Sequence, residues 1–85
     1  MFKKEYIFYT IGLKDFFIAE QILIDNGITE TESEKTIVDN KYCTIIKATR
    51  KQWKKIKHLL IRNVKSVNFI WHDAEKEWND FINKK

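Results

Sequence analysis

Three kinds of side chain in this sequence are able to do chemistry. Cys43 is its only thiol. A thiolate attacks electrophiles or carries sulfur, provided it is reachable and a nearby positive charge stabilises it; Lys41 and Lys47 are the neighbouring cations. A lone Cys inside a strand pattern reads equally well as a small buried hydrophobe. The two imidazoles, His58 and His72, fall in different predicted elements with no third ligand at a helical or CxxC-type spacing, so no metal site and no cofactor are expected. His72 stands beside Asp73, a pair that reads as a strand exit and helix cap rather than an acid–base couple. The third set is electrostatic: Lys51, Lys54, Lys55, His58 and Arg62 recur at helical spacing, the pattern of a basic stripe for phosphates or for an acidic protein surface. A solvated outer helix face has the same composition. The sequence carries no Gly-rich phosphate loop, nucleophile elbow or paired-carboxylate spacing.

These groups need elements to hold them, and the hydrophobic pattern supplies an order. Glu5 to Ile11 is short, β-branched and aromatic, and Gly12 bounds it, which predicts a strand. From Lys14 the period changes: Phe16, Ala19 and Leu23 sit at i, i+3, i+7 and Gly27 follows, predicting a helix over 14–26. Ile28 to Val38 alternates Thr with Glu before Thr36-Ile37-Val38 and reads as an edge strand whose acidic side chains discourage pairing. Asp39-Asn40-Lys41 is turn chemistry, and Tyr42 to Lys47 is the hairpin partner. Thr49-Arg50-Lys51-Gln52 matches a capping box opening a second helix with Trp53, Ile56 and Leu60 inward and Leu59 widening the stripe. Val64 to Trp71 predicts a fourth strand with Val67, Phe69 and Trp71 on one face. Asp73 then caps a last helix whose apolar stripe is Ala74, Trp78, Phe81 and Ile82.

The sum is an α+β domain of ferredoxin-like βαββαβ order, an antiparallel sheet with two helices on one face, the first and third strands central, plus a C-terminal helix. Small nucleases on such a fold commonly carry an Asp at the end of the first strand; here that stretch is Tyr9-Thr10-Ile11-Gly12. Length agrees with one unit: 85 residues make a single domain over 1–85. With 44% hydrophobic and 14% aromatic residues, a packed core is expected rather than disorder. No apolar run reaches the ~18 residues of a membrane span, and the start lacks a signal-peptide cleavage pattern, so a cytoplasmic protein without a membrane partner is expected.

Two surfaces remain after the core is assigned. In the first helix, Phe17, Ile18 and Ile24 lie outside the arc that meets the sheet, an apolar flank to be covered by the last helix or by a second protein. On the sheet, both faces of the first strand are apolar. Placing Tyr6, Phe8 and Tyr42 on the face away from the helices makes Phe8 and Tyr42 candidates for stacking on bases, as RNA-recognition modules do. The same face is also suited to packing on another protomer.

The opening of the chain resembles a known family. A strand from Tyr6 to Ile11, then a helix and turn from Phe16 to Ile28 carrying Ala19-Glu20, Leu23 and Gly27-Ile28, is similar to the selenium/sulfur carrier-like family of small bacterial proteins. Cys43 lies near that family's Cys, although the family's Pro-containing stretch is missing and Thr44 stands where the family has Gly. The resemblance covers the first half of the chain and implies a thiol-based sulfur or selenium carrier using Cys43.

The expectation from the residues themselves is a small non-enzymatic binding module acting on a macromolecule, with another protein or a second copy (a homodimer) as the partner. The Lys-, Ile- and Asn-rich composition fits a low-GC bacterium or its phages and plasmids, and a phage- or mobile-element-encoded inhibitor of a host protein is a special case. Nucleic acid, held by the basic helix face, is the alternative, in keeping with a net charge of +4.

Overall fold

Residues 3–70 are described by a computed structural model. β1 (Lys3–Ile11) leads through Gly12 into α1 (Leu13–Asp25), and β2 (Ser33–Val38) and β3 (Lys41–Thr49) follow as a hairpin. α2 (Arg50–Asn63) then precedes β4 (Asn68–Ile70). The four strands form one antiparallel sheet in the order β2-β3-β1-β4, an α+β arrangement with two helices. The last helix predicted after Asp73 lies outside the described residues.

Each boundary has a local cause. At Gly12 the backbone takes φ 85 and ψ 154, a combination essentially confined to glycine, and this corner lets the strand turn directly into α1. α2 starts by side-chain chemistry instead: the Thr49 hydroxyl accepts from the Gln52 N–H at 3.1 Å, and the Gln52 carboxamide accepts from the Thr49 N–H at 2.9 Å. The hairpin turn has positive φ at both Asp39 and Asn40, the signature of a type I′ turn, whose twist matches that of the strands it joins.

The edge strand is shorter than its sequence predicts. Ile28 is buried, and Glu30–Glu32 form a turn of 3-10 helix. Thr29 and Glu32 cap it reciprocally, with the Thr29 N–H donating to the Glu32 carboxylate at 3.1 Å. A capping box of this kind satisfies the backbone locally and takes it out of the extended state, so β2 begins only at Ser33. The fourth strand also begins late. Val64 ends α2, its N–H donating to the Leu60 carbonyl at 2.8 Å, and ladder pairing starts at Asn68.

The core sits between the sheet and both helices. Tyr6 and Phe8 of β1, Ile46 and Ala48 of β3, Ala19, Ile22 and Leu23 of α1, and Trp53, Ile56 and Leu60 of α2 are all buried. Trp53 joins them: its ring stacks on Tyr6 at 4.7 Å and meets Phe69 edge-on at 5.7 Å, geometries that add to simple area burial.

The face of the sheet chosen for Tyr6, Phe8 and Tyr42 is therefore corrected. Phe8 is opposite Phe69 in the ladder, so the two share the helix side, and Phe8 is wholly buried. Tyr42 pairs with Thr10 and stacks on Phe16 of α1 at 4.6 Å. Side chains alternate strictly along a strand, so the face away from the helices carries Ile7, Tyr9 and Ile11 with Cys43 and Ile45.

Candidate functional site: the outer faces of the two helices

α2 turns Trp53, Ile56 and Leu60 inward, and helical periodicity puts the basic residues on the other side. Lys51, Lys54, Lys55, His58 and Arg62 are all exposed. Lys51, Lys54, Lys55 and His58 line one shallow depression, floored by half-buried Leu59. The structure thus brings together four of the five residues that spacing singled out, with Arg62 exposed one turn further along the helix. Two more cations join them: Arg50 is exposed at the first position of the helix, and Lys57 lies over the Phe69 ring at 5.4 Å, a cation–π contact.

This stripe is electrostatically unopposed within the described residues. Their two ion pairs, Lys3 with Glu32 and Lys35 with Glu20, both lie elsewhere. The reason is visible in the chain itself: between Asp39 and Asp73 stand nine Lys and Arg and no carboxylate. The net charge of +4 averages over that segregation, which is why overall charge understates the stripe. Charge counted by segment is the signal that finds Arg50 and Lys57.

α1 presents a contrasting surface. Phe17 and Ile24 are 59% and 61% exposed, and Leu13, one turn before Phe17, is 51% exposed. Ile18, expected beside them, is half-buried and packed against the core. It lines the cleft between the helices together with Ile22 and Leu59. Glu20 of α1 bridges to Lys35 of β2 at 3.0 Å, so α1 lies above the β2 side of the sheet. Ile37 of β2, 62% exposed, extends the apolar flank onto the sheet edge.

Cys43 is a free, half-buried thiol on the face away from the helices, opposite Tyr9 in β1 and Thr36 in β2. Lys41, two residues along on the same face, has its ammonium over the Tyr9 ring at 5.3 Å. Phe8 is wholly buried and so is closed to bases, and half-buried Tyr42 is on the helix side with its ring stacked on Phe16. Among the described residues no group of three His, Cys, Asp or Glu side chains is placed to hold a metal ion, and no helix is long and apolar enough to cross a membrane; His72 lies outside them. Compared with protein-family models, with curated proteins and with solved structures, the chain gives no match.

Proposed function

We propose that this chain is a binding module for an anionic macromolecule, nucleic acid in the first place, held by the outer face of α2. The observation that carries the reading is the stripe of Lys51, Lys54, Lys55 and Arg62 with His58 among them, which no carboxylate of the described residues opposes. Successive turns of a helix advance by about 5.4 Å. One face of α2 therefore offers lysines on its first two turns and Arg62 on its last to a strand whose phosphates recur every ~3.4 Å along the duplex axis. Contacts to phosphate position a protein without reading sequence, and Phe8 and Tyr42 are on the helix side of the sheet, Phe8 wholly buried and Tyr42 stacked on Phe16. The reading is accordingly of sequence-tolerant binding. The strand order β2-β3-β1-β4 supports assigning the scaffold to the ferredoxin-like βαββαβ class.

Fluorescence anisotropy with short duplex and single-stranded oligonucleotides tests the proposal. With four phosphate contacts, log Kobs should fall against log salt with a slope of about −3 to −4 on duplex. The double change Lys54→Glu, Lys55→Glu should flatten that slope by about 2 or more. Absence of binding at about 50 mM salt, where such contacts are strongest, rejects it.

A protein-facing surface is the second reading, favoured by a different observation: Leu13, Phe17, Ile24 and Ile37 expose large apolar side chains on α1 and the β2 edge.

A further inference from the structure

We propose that the β2 edge, with the α1 flank beside it, pairs with the same edge of a second copy, continuing the sheet through an antiparallel β2–β2 junction about a two-fold axis at Thr36. This does not depend on the role of α2. Among the described residues β2 ends the sheet, and all its residues after Ser33 are exposed. The type I′ turn fixes which of its backbone groups are free. In a hairpin closed by two residues, the flanking pair exchanges both hydrogen bonds and the pairs alternate from there. Val38, Thr36 and Glu34 therefore bond inward to β3, while the N–H and C=O of Lys35 and Ile37 point outward. Ser33 directs its N–H to the Glu30 carbonyl. The acidic guard expected from the sequence is largely off the strand: Glu30 and Glu32 are in the 3-10 turn, and Glu32 is tied to Lys3.

Charge selects the register. A two-fold normal to the sheet keeps facing residues on the same side, so the centre falls on a residue. Centring on Glu34 or Lys35 sets like charges directly opposite, which destabilises a pair. Centring on Ile37 leaves one hydrogen-bonded pair. Centring on Thr36 gives two such pairs, Lys35 with Ile37 in each direction, with Thr36 facing its own copy, and Lys35 is already neutralised by Glu20 at 3.0 Å. The same choice keeps the α2 stripes at the far sides of the assembly. Association through the β4 edge would bring their cations closer together.

The helix layer fits this arrangement. α1 lies above β2 and β3, with Glu20 bonded to Lys35 and Phe16 stacked on Tyr42. At about 4.8 Å between strands, the two α1 axes come roughly 10–14 Å apart. That is at or slightly beyond the 8–10 Å of packed helices, a gap that Phe17, Leu13 and Ile37 are large enough to fill. A junction about 20 Å long, the span of six strand residues, and one sheet and one helix layer deep gives on the order of 400 Å² per copy. That is half the ~800 Å² of a standard interface, so the dimer is weak and concentration-dependent.

Sedimentation equilibrium from about 1 μM to about 1 mM should show a monomer passing to a dimer, with dissociation in the range of roughly 10–300 μM. Phe17→Lys should weaken it by tenfold or more while leaving the circular dichroism spectrum unchanged. Site-directed crosslinking fixes the axis. In a Cys43→Ser background, which removes the thiol opposite Thr36, Thr36→Cys should give a disulfide-linked dimer under mild oxidant. The facing Cα atoms of a non-hydrogen-bonded pair are ~4.5 Å apart, within disulfide reach. A chain that stays monomeric at about 1 mM overturns the proposal. So does a dimer that resists Phe17→Lys and is broken by Ile45→Lys on the opposite face of the sheet.

Discussion

The two helices pack on the same face of one sheet and differ on nearly every other count. α2 opens with a reciprocal side-chain cap, anchors an aromatic cluster through Trp53, and turns a basic face outward with exposed Ile61 at its margin. α1 opens on a backbone corner at Gly12, buries only Ala19, Ile22 and Leu23, and leaves Leu13, Phe17 and Ile24 exposed. Core formation explains the inward half of both. It does not explain why one outer face is charged and the other apolar. That difference divides the molecule into a surface suited to long-range attraction and one suited to close contact.

The sharpest way to separate the two is through their aromatic residues. Trp53→Ala should cost about 3–5 kcal/mol, because it removes the ring on which Tyr6 and Phe69 pack. Phe17→Ala should shift the stability of the monomer by no more than about 0.5 kcal/mol, since that ring stands largely in solvent. Urea denaturation at low protein concentration measures both. A loss at Phe17 comparable to that at Trp53 would erase the distinction between an anchoring and a presenting helix.

The starts of the helices come next in size. Gly12→Ala should destabilise by about 1–3 kcal/mol even though an added methyl meets nothing within 4 Å, because the strain lies in φ alone. Thr49→Ala should cost about 1 kcal/mol, and Thr49→Ser should restore most of it. Equal tolerance of alanine at both positions would show that α1 is not held by its corner.

The smallest expected effect is one of pH. Asp15, in the first turn of α1, has its carboxyl held below the ordinary 3.8, chiefly by the Ser66 hydroxyl, with the Ser66 N–H adding to it. The hydroxyl donates at 2.6 Å and the N–H at 3.1 Å. A depressed folded-state value stabilises the fold above the unfolded pKa, and the contribution is lost as pH falls through the lowered one. Denaturation midpoints compared at about pH 7 and pH 3 should therefore converge for wild type and Ser66→Ala at the acid end. In NMR titration, the Asp15 carboxyl of Ser66→Ala should return toward its ordinary range. An unchanged Asp15 titration would show that the link between α1 and the loop after α2 does not operate in solution.

Where local chemistry decided the outcome, the sequence was legible. The Thr49–Gln52 box, the helical spacing of Trp53, Ile56 and Leu60, and the Asp39-Asn40 turn each act within a few residues, and each lies where it was expected. The basic stripe followed from α2 by rotation alone. The second capping box, Thr29 with Glu32, was equally local but was hidden inside an apparent strand of alternating Thr and Glu. The face of β1 was not legible, since Tyr6 and Phe8 on one side and Ile7 and Tyr9 on the other are about equally apolar. Only the ladder register, Phe8 against Phe69, breaks that tie. Ile18, grouped with the exposed flank by helical rotation, is half-buried against a core to which the second helix, far along the chain, also contributes.

The strand order also bears on synthesis. β1 is central but emerges first, and its β3 partner begins only about 30 residues later. At 5–20 residues per second, that leaves a ribbon greasy on both sides waiting roughly 2–6 s for its first neighbour. Nascent chains arrested once Asp39 has cleared the ribosomal tunnel should accordingly bind holdase chaperones more strongly than chains arrested once Thr49 has cleared it. Equal capture of the two would mean that β1 is sheltered before its ladder exists.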